Sequence, residues 1–169
     1  IGKITGEVDK QYVEFLLKTN GASILDYCFL GLKNHTLGVN VYDNMRELWQ
    51  SDCLLTFRFW GIVGTSSGEN FGYIDEKDSS GNHYIGYYSA NEPEHVYLVA
   101  SSFNIFMDKF LKQVEASLAI DKNAIYIDND WFLNPQKLII DDIEMAQYLQ
   151  SQETSEYNLL DRKFDKRKY

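Results

Sequence analysis

The chain has 169 residues, a formal net charge of −9 and a pI near 4.7, with 44% hydrophobic and 15% aromatic residues. A chain of this length and apolar content suits one domain with a sizeable core and excludes disorder throughout. The acidic balance argues against nucleic acid as the main partner, because a phosphate-binding surface needs an excess of Lys and Arg, and it makes a basic protein the natural counterpart.

The 12 Tyr and 10 Phe favour a sheet-containing fold over a pure helical bundle. In chain order, Asp9 caps a short helix through Tyr12, Phe15 and Leu16, and Asn20-Gly21 closes it, since both tolerate the left-handed conformation of a helix stop. An irregular strand is expected over 24–32, around Phe29 and Leu30. A second helical segment follows over 42–49, with Met45, Leu48 and Trp49 on one side. The apolar run 54–63 reads as a central strand whose Arg58 leaves at one face or pairs with an acid.

Gly61, Gly64 and Gly68 surround Thr65, Ser66 and Ser67, but no GKS, GKT or GxGxxG is present, so this is a turn between strands and not a phosphate cradle. Segments 70–75, 83–88 and 95–100 are three further strands, and 77–82 has the composition of a hairpin loop. Short loops between neighbouring strands imply an antiparallel meander. The last of these strands runs directly into a helix in which Phe103, Phe106, Phe110, Val114 and Leu118 share a face, with Ser101 or Ser102 as cap. Beyond it, 124–127 reads as a brief strand, and Asn134-Pro135 starts a helix leading into Ile139, Ile143, Ala146 and Leu149.

The charge is unevenly placed. Between Ser66 and His95 six acidic residues face Lys77 alone; from Asp121 to Glu156 there are eight acidic and two basic; from Tyr157 to Tyr169 the balance reverses to five basic and two acidic. The final stretch is expected to be loosely held. Cys28 and Cys53, each in apolar surroundings without a CxxC pair, are expected to be free thiols of a reducing compartment. No run of about 18 apolar residues predicts a membrane helix. The chain begins at Ile1 and not with Met, which leaves room for a removed leader or an upstream domain.

Catalytic patterns are sparse. His35, His83 and His95 stand apart from one another and from metal-ligand spacings. Asp128, Asp130, Asp141 and Asp142 do not form a DxDxDG loop and read as a solvated loop and a first helical turn. Ser101 and Ser102 lack a GxSxG context. No catalytic residue, metal site or cofactor is expected.

The succession YVEFLLKTNGA (12–22), CFLGL (28–32), FRFWGIVGTSSGENFGYID (57–75) and VYLVASSFNIFMDKFL (96–111) resembles the SUKH superfamily, the Smi/Knr group that includes fungal cell-wall-assembly regulators and many bacterial immunity proteins. Asn20, Gly21, Gly61, Gly68, Asp75, Ala100, Ser102, Phe103 and Phe106 stand at the family's positions, over about sixty per cent of the chain. The family's Leu-Pro before the first of these helices is missing, and its Gly-Asp is Gly68-Glu69 here.

The resemblance implies a single α+β domain, a mainly antiparallel meander covered by helices, over 1–120. An acidic extension of short strand plus helix (121–156) and a basic tail (157–169) lie outside it. It implies a non-enzymatic, cytoplasmic bacterial protein that neutralises a cognate, basic toxin such as a nuclease, with no direct contact to nucleic acid or membrane. Under that reading Glu69, Asp75, Glu76, Asp78, Glu92 and Glu94 form the interface, with an exposed Tyr87 or Tyr88 as aromatic anchor and the other of the pair turned inward. Gly21, Gly61, Gly68, Ser102, Phe103 and Phe106 are structural. A cell-wall-regulator type of scaffold and, further off, a metal-dependent enzyme around 128–142 are the alternatives. The oligomeric state stays open.

Overall fold

The computed structural model describes residues 9–33, 40–151 and 159–160. His35 and, apart from Leu159 and Leu160, the basic tail from Tyr157 onward lie outside them. Among the described residues, seven strands form one antiparallel sheet in sequence order: β1 (Ala22–Ile24), β2 (Tyr27–Phe29), β3 (Trp60–Gly64), β4 (Glu69–Lys77), β5 (His83–Ser89), β6 (Val96–Ala100) and β7 (Leu159–Leu160). The helices are α1 (Lys10–Thr19), α2 (Val41–Leu48), α3 (Asp52–Thr56), α4 (Phe103–Ile120), α5 (Asp130–Leu133), α6 (Pro135–Leu138) and α7 (Ile143–Ser151). The α+β meander expected from the sequence is present. No helix among the described residues is long and apolar enough to cross a membrane.

Local chemistry accounts for most element ends. The Asp9 carboxylate accepts from the Gln11 and Tyr12 backbone N–H groups at 2.8 and 3.2 Å, and Asn20 closes α1 at φ 48°. Gly21 follows at φ 108°, where a Cβ would also come within 2.8 Å of the Phe29 carbonyl oxygen. Ser102 caps α4 by accepting from the Ile105 N–H at 3.4 Å, and Phe103, Phe106, Phe110 and Val114 are buried as their spacing predicts.

Four expectations fail at the level of single elements. The segment 24–32 is not one strand: β1 and β2 form a hairpin turned at Leu25 and Asp26, with Leu25 at φ 55°, a conformation that no sequence rule assigns to leucine. The run 54–63 splits into the end of α3, a left-handed Arg58 at φ 48°, and β3, because a short apolar run fits a buried helix as well as a strand. In 124–127 no strand forms. There the Ile125 carbonyl accepts from the Asp26 N–H at 3.0 Å, tying this loop to the β1–β2 turn.

The helix expected from Pro135 to Leu149 is also two helices. Asn134 caps α6 as predicted, but the chain breaks after it with Asp141 at φ 58° and restarts at Asp142. Leu138 and Met145 are buried, whereas Ile139 and Ile143 are exposed. Asp142, expected in solvent, is fully buried. Its carboxylate accepts from the Ser101 and Met145 N–H groups at 3.0 Å each and lies 3.7 Å from the Lys109 ammonium, which also donates to the Leu138 carbonyl.

Both faces of the sheet are covered. On one, strand pairing aligns Phe29, Val63, Phe71, Tyr87 and Tyr97 in a row, and α4 lays Phe106 and Phe110 across it, with centroids 5.2 Å (Phe71–Phe106) and 5.4 Å (Phe29–Phe110) apart. Trp131 and Phe132 of α5 extend that cover, Phe132 lying 4.7 Å from Tyr87. On the other face α2 packs against β3 through Asn44, whose side-chain amide donates to the Gly61 carbonyl at 3.5 Å. Cys28 and Cys53 are free thiols.

So much buried tyrosine has a pH consequence. Burial raises the hydroxyls of Tyr27 and Tyr84 to about 12 and shifts Tyr12, Tyr73, Tyr87, Tyr88, Tyr97 and Tyr148 in the same direction. The folded state therefore retains protons that the unfolded chain gives up near pH 10, so this stability is complete below 10 and is lost as pH climbs from 10 toward 12. We expect cooperative alkaline unfolding coincident with a late rise in tyrosinate absorbance. Normal titration of these tyrosines near pH 10 with the fold intact would contradict it.

Candidate protein-binding site

The structure divides the sequence-predicted interface between two ends of the sheet. Strand β4 has 9 residues, which separates Glu69 from the loop after Lys77 by roughly 26 Å at about 3.3 Å per residue. Asp75, Glu76 and Asp78 lie at one end and Glu69, Glu92 and Glu94 at the other, so the six carboxylates do not make one compact patch.

At the first end the carboxylates build structure. Asp75 sits 3.8 Å from Arg58. Asp78 accepts from the N–H groups of Ser80 and Asn82 at 3.0 and 2.7 Å and from the Asn82 side chain at 2.8 Å, which shapes the β4–β5 loop. Glu144 of α7 clamps the same loop by accepting from the Ser79 hydroxyl at 2.6 Å. Glu76 is half-buried.

At the second end Glu69 accepts from the Tyr87 hydroxyl at 2.7 Å, and Glu92 accepts from Tyr97 at 2.8 Å but remains exposed, as does Glu94. Neither Tyr87 nor Tyr88 is an exposed anchor: they are 6% and 9% accessible. Alternation places them on opposite faces as expected, but with both faces covered each finds a packed layer. Tyr87 meets Phe71 and Phe132, and Tyr88 meets Phe59 at 6.3 Å.

Tyr88 opens instead into a cleft of about 440 Å³ between α2–α3 and the ends of β3, β4 and β5. Asn44, Glu47, Leu48, Ser51 and Leu54 line it from the helices, and Thr65, Ser66, Gly68, Asn70 and Ala90 line it from the sheet side. Gly61 lets α2 approach: a Cβ there would stand 2.5 Å from the Asn44 amide nitrogen and 2.7 Å from Leu48. Asn44 can then donate to Asn70 Oδ1 at 3.2 Å, which locks two buried amides into the cleft wall. Cys53, next to Leu54, is pushed up by burial and by the Glu94 carboxylate, and its thiol in turn adds to the upward shift that burial imposes on Tyr88. The acidic rim thus comprises Glu47 from α2 and Glu94 from the β5–β6 loop.

Asn44, Glu47 and Asn70 were not among the residues expected to matter. Their signal is nevertheless in the sequence: Gly61, inside the strand Trp60–Gly64, marks a close approach, and Asn70 alternates with the core residue Phe71. What the sequence lacks is the identity of the helix that approaches.

No group of three or more His, Cys, Asp or Glu residues among those described could hold a metal ion. Asp130 pairs with Lys137 and Asp141 with Lys112, while Asp142 turns inward to Lys109. Ser101 and Ser102 are both buried, the latter as helix cap.

No curated protein and no solved structure matches the chain. The sequence model of the SMI1 / KNR4 family (SUKH-1) does, over residues 6–109, a stretch from ahead of α1 to the first half of α4. That family is generally non-enzymatic, and its domains commonly bind partner proteins. With the match covering well over half of the 169 residues and the antiparallel meander in place, the chain belongs to the SMI1 / KNR4 family (SUKH-1).

Proposed function

We propose that this protein is an immunity protein: a non-enzymatic cytoplasmic binder that neutralises a basic toxin by covering its working surface. The observation that carries this reading is the end of the sheet where exposed Glu47 and Glu94 flank a cleft that has no Lys or Arg among the described residues lining it. Such a surface speeds encounter with a cationic partner and repels nucleic acid, so one surface both recruits a nuclease-like toxin and keeps its substrate away. The net charge of −9 adds a long-range field of the same sign.

The test is co-expression with the product of the neighbouring gene, which this reading expects to be the toxin. Cells carrying both should grow while cells carrying the toxin alone die, and association of the purified pair should slow by about tenfold or more as salt rises from low to high ionic strength. Equal killing with and without this chain would overturn the reading and favour a scaffold role within the family.

A further inference from the structure

We infer that the cleft between α2–α3 and the sheet is a receptor for an arginine side chain supplied by a protein partner. This rests on the binding role proposed above and names the chemistry of its recognition site. Three side chains that are nine-tenths buried or more present themselves to the cleft, Asn44, Asn70 and Tyr88, at 9%, 7% and 9% accessibility.

Their polar atoms are not all used. Asn44 spends its amide nitrogen on two acceptors, the Gly61 carbonyl at 3.5 Å and Asn70 Oδ1 at 3.2 Å. Both partners being oxygens, the amide is fixed with its oxygen as the free end, and among the described residues that oxygen accepts no hydrogen bond. The Tyr88 hydroxyl likewise has no partner among the described residues, and Glu47 at the rim pairs with no cation there.

The Asn44 oxygen and the Tyr88 hydroxyl both open to the solvent of the cleft, so a donor that enters can exchange for water there. The cleft therefore offers acceptors and negative charge to whatever enters. Arginine meets that demand better than lysine: its planar fork carries five N–H donors that can reach an amide oxygen and a carboxylate together, and its face can stack on a tyrosine ring. Leu48, Leu54 and Ala90 give its aliphatic stem an apolar wall. A cleft of about 440 Å³ has room for one such side chain with its flanking backbone.

The probe is N-acetyl-arginine amide, titrated onto the full chain while amide and side-chain shifts are followed by NMR. A molecule of about fifteen heavy atoms should bind with a dissociation constant on the order of 1 mM. The shifts should centre on Asn44, Asn70 and Ala90. The lysine analogue should bind more weakly, and the citrulline analogue, equal in shape and uncharged, should leave the cleft unmoved. E47Q and Y88F, both of which preserve side-chain volume, should each weaken binding by about threefold to tenfold with the rest of the spectrum intact.

Equal shifts from citrulline and arginine, or no response of the cleft to arginine, would overturn the inference. If the protein protects cells while its cleft ignores arginine, and E47Q protects as well as the parent, the binding role survives and the cleft assignment falls. If the cleft binds arginine but no toxin is neutralised, the immunity reading falls and the receptor remains.

Discussion

Replacing Asp142 with Ala should lower the free energy of unfolding by about 3–5 kcal/mol, measured by urea denaturation at neutral pH. The carboxylate is fully buried and does three things: it accepts from Ser101 N–H at the end of β6, accepts from Met145 N–H in the first turn of α7, and lies 3.7 Å from the Lys109 ammonium. Its removal leaves two backbone donors and a buried cation without that partner. Against a typical total of about 5–15 kcal/mol, such a loss brings the protein close to unfolding at growth temperature.

The same variant should have a distinctive pH dependence. Burial lowers the Lys109 pKa below 10.5, and Asp142 opposes that shift. With Asp142 gone the downward shift grows, so the unfolded chain binds a proton that the folded chain has released, and stability rises with pH across that window. Part of the Asp142→Ala deficit should therefore disappear between neutral pH and about pH 10, before the tyrosines begin to ionise. The double replacement K109M/D142N should be less damaging than D142A, because no uncompensated charge is left inside. A D142A loss below about 1 kcal/mol, flat with pH, would show that the pair does not fasten the two segments.

Phe132→Ala should cost about 3–5 kcal/mol, as much as Phe106→Ala in the helix that carries the family signature. The family match ends at residue 109, yet the hydrophobic core does not. Phe132 is fully buried, 4.7 Å from Tyr87 and 5.8 Å from Phe71, and Trp131 packs beside it at 5.1 Å. A chain cut after Ile120 would bare Phe71, Tyr87 and Phe106 to water along the row that strand pairing creates, and should lose cooperative unfolding and bind hydrophobic dyes. Cooperative unfolding of that shortened chain with near-parent stability would make the segment after Asp121 an appendage and not part of the core.

These two variants separate what can be read locally from what cannot. The capped helix at Asp9, the amphipathic face of α4 and the meander follow from caps, spacing and alternation, each encoded within a few residues of itself. Leu25 shows where this stops: its left-handed turn exists because β2 returns to pair with β1, and nothing in leucine announces that. Likewise Asp142 reads as an exposed first-turn acid until Lys109, more than thirty residues earlier, is brought against it.

For the binding site the division is sharper. Composition alone determined that the protein is acidic, and the order of its motifs placed it in a family of binding domains. Tertiary structure decided which acids act together. It paired Asp75 with Arg58 and set Asp78 to building a loop, buried both tyrosines by covering the sheet twice, and joined Glu47, Asn44, Asn70, Tyr88 and Glu94 around one cleft. The physical reason is that charge and polarity belong to residues, whereas a surface belongs to long-range strand pairings and helix packing, which bring residues 44, 70 and 88 together only when the sheet closes under α2.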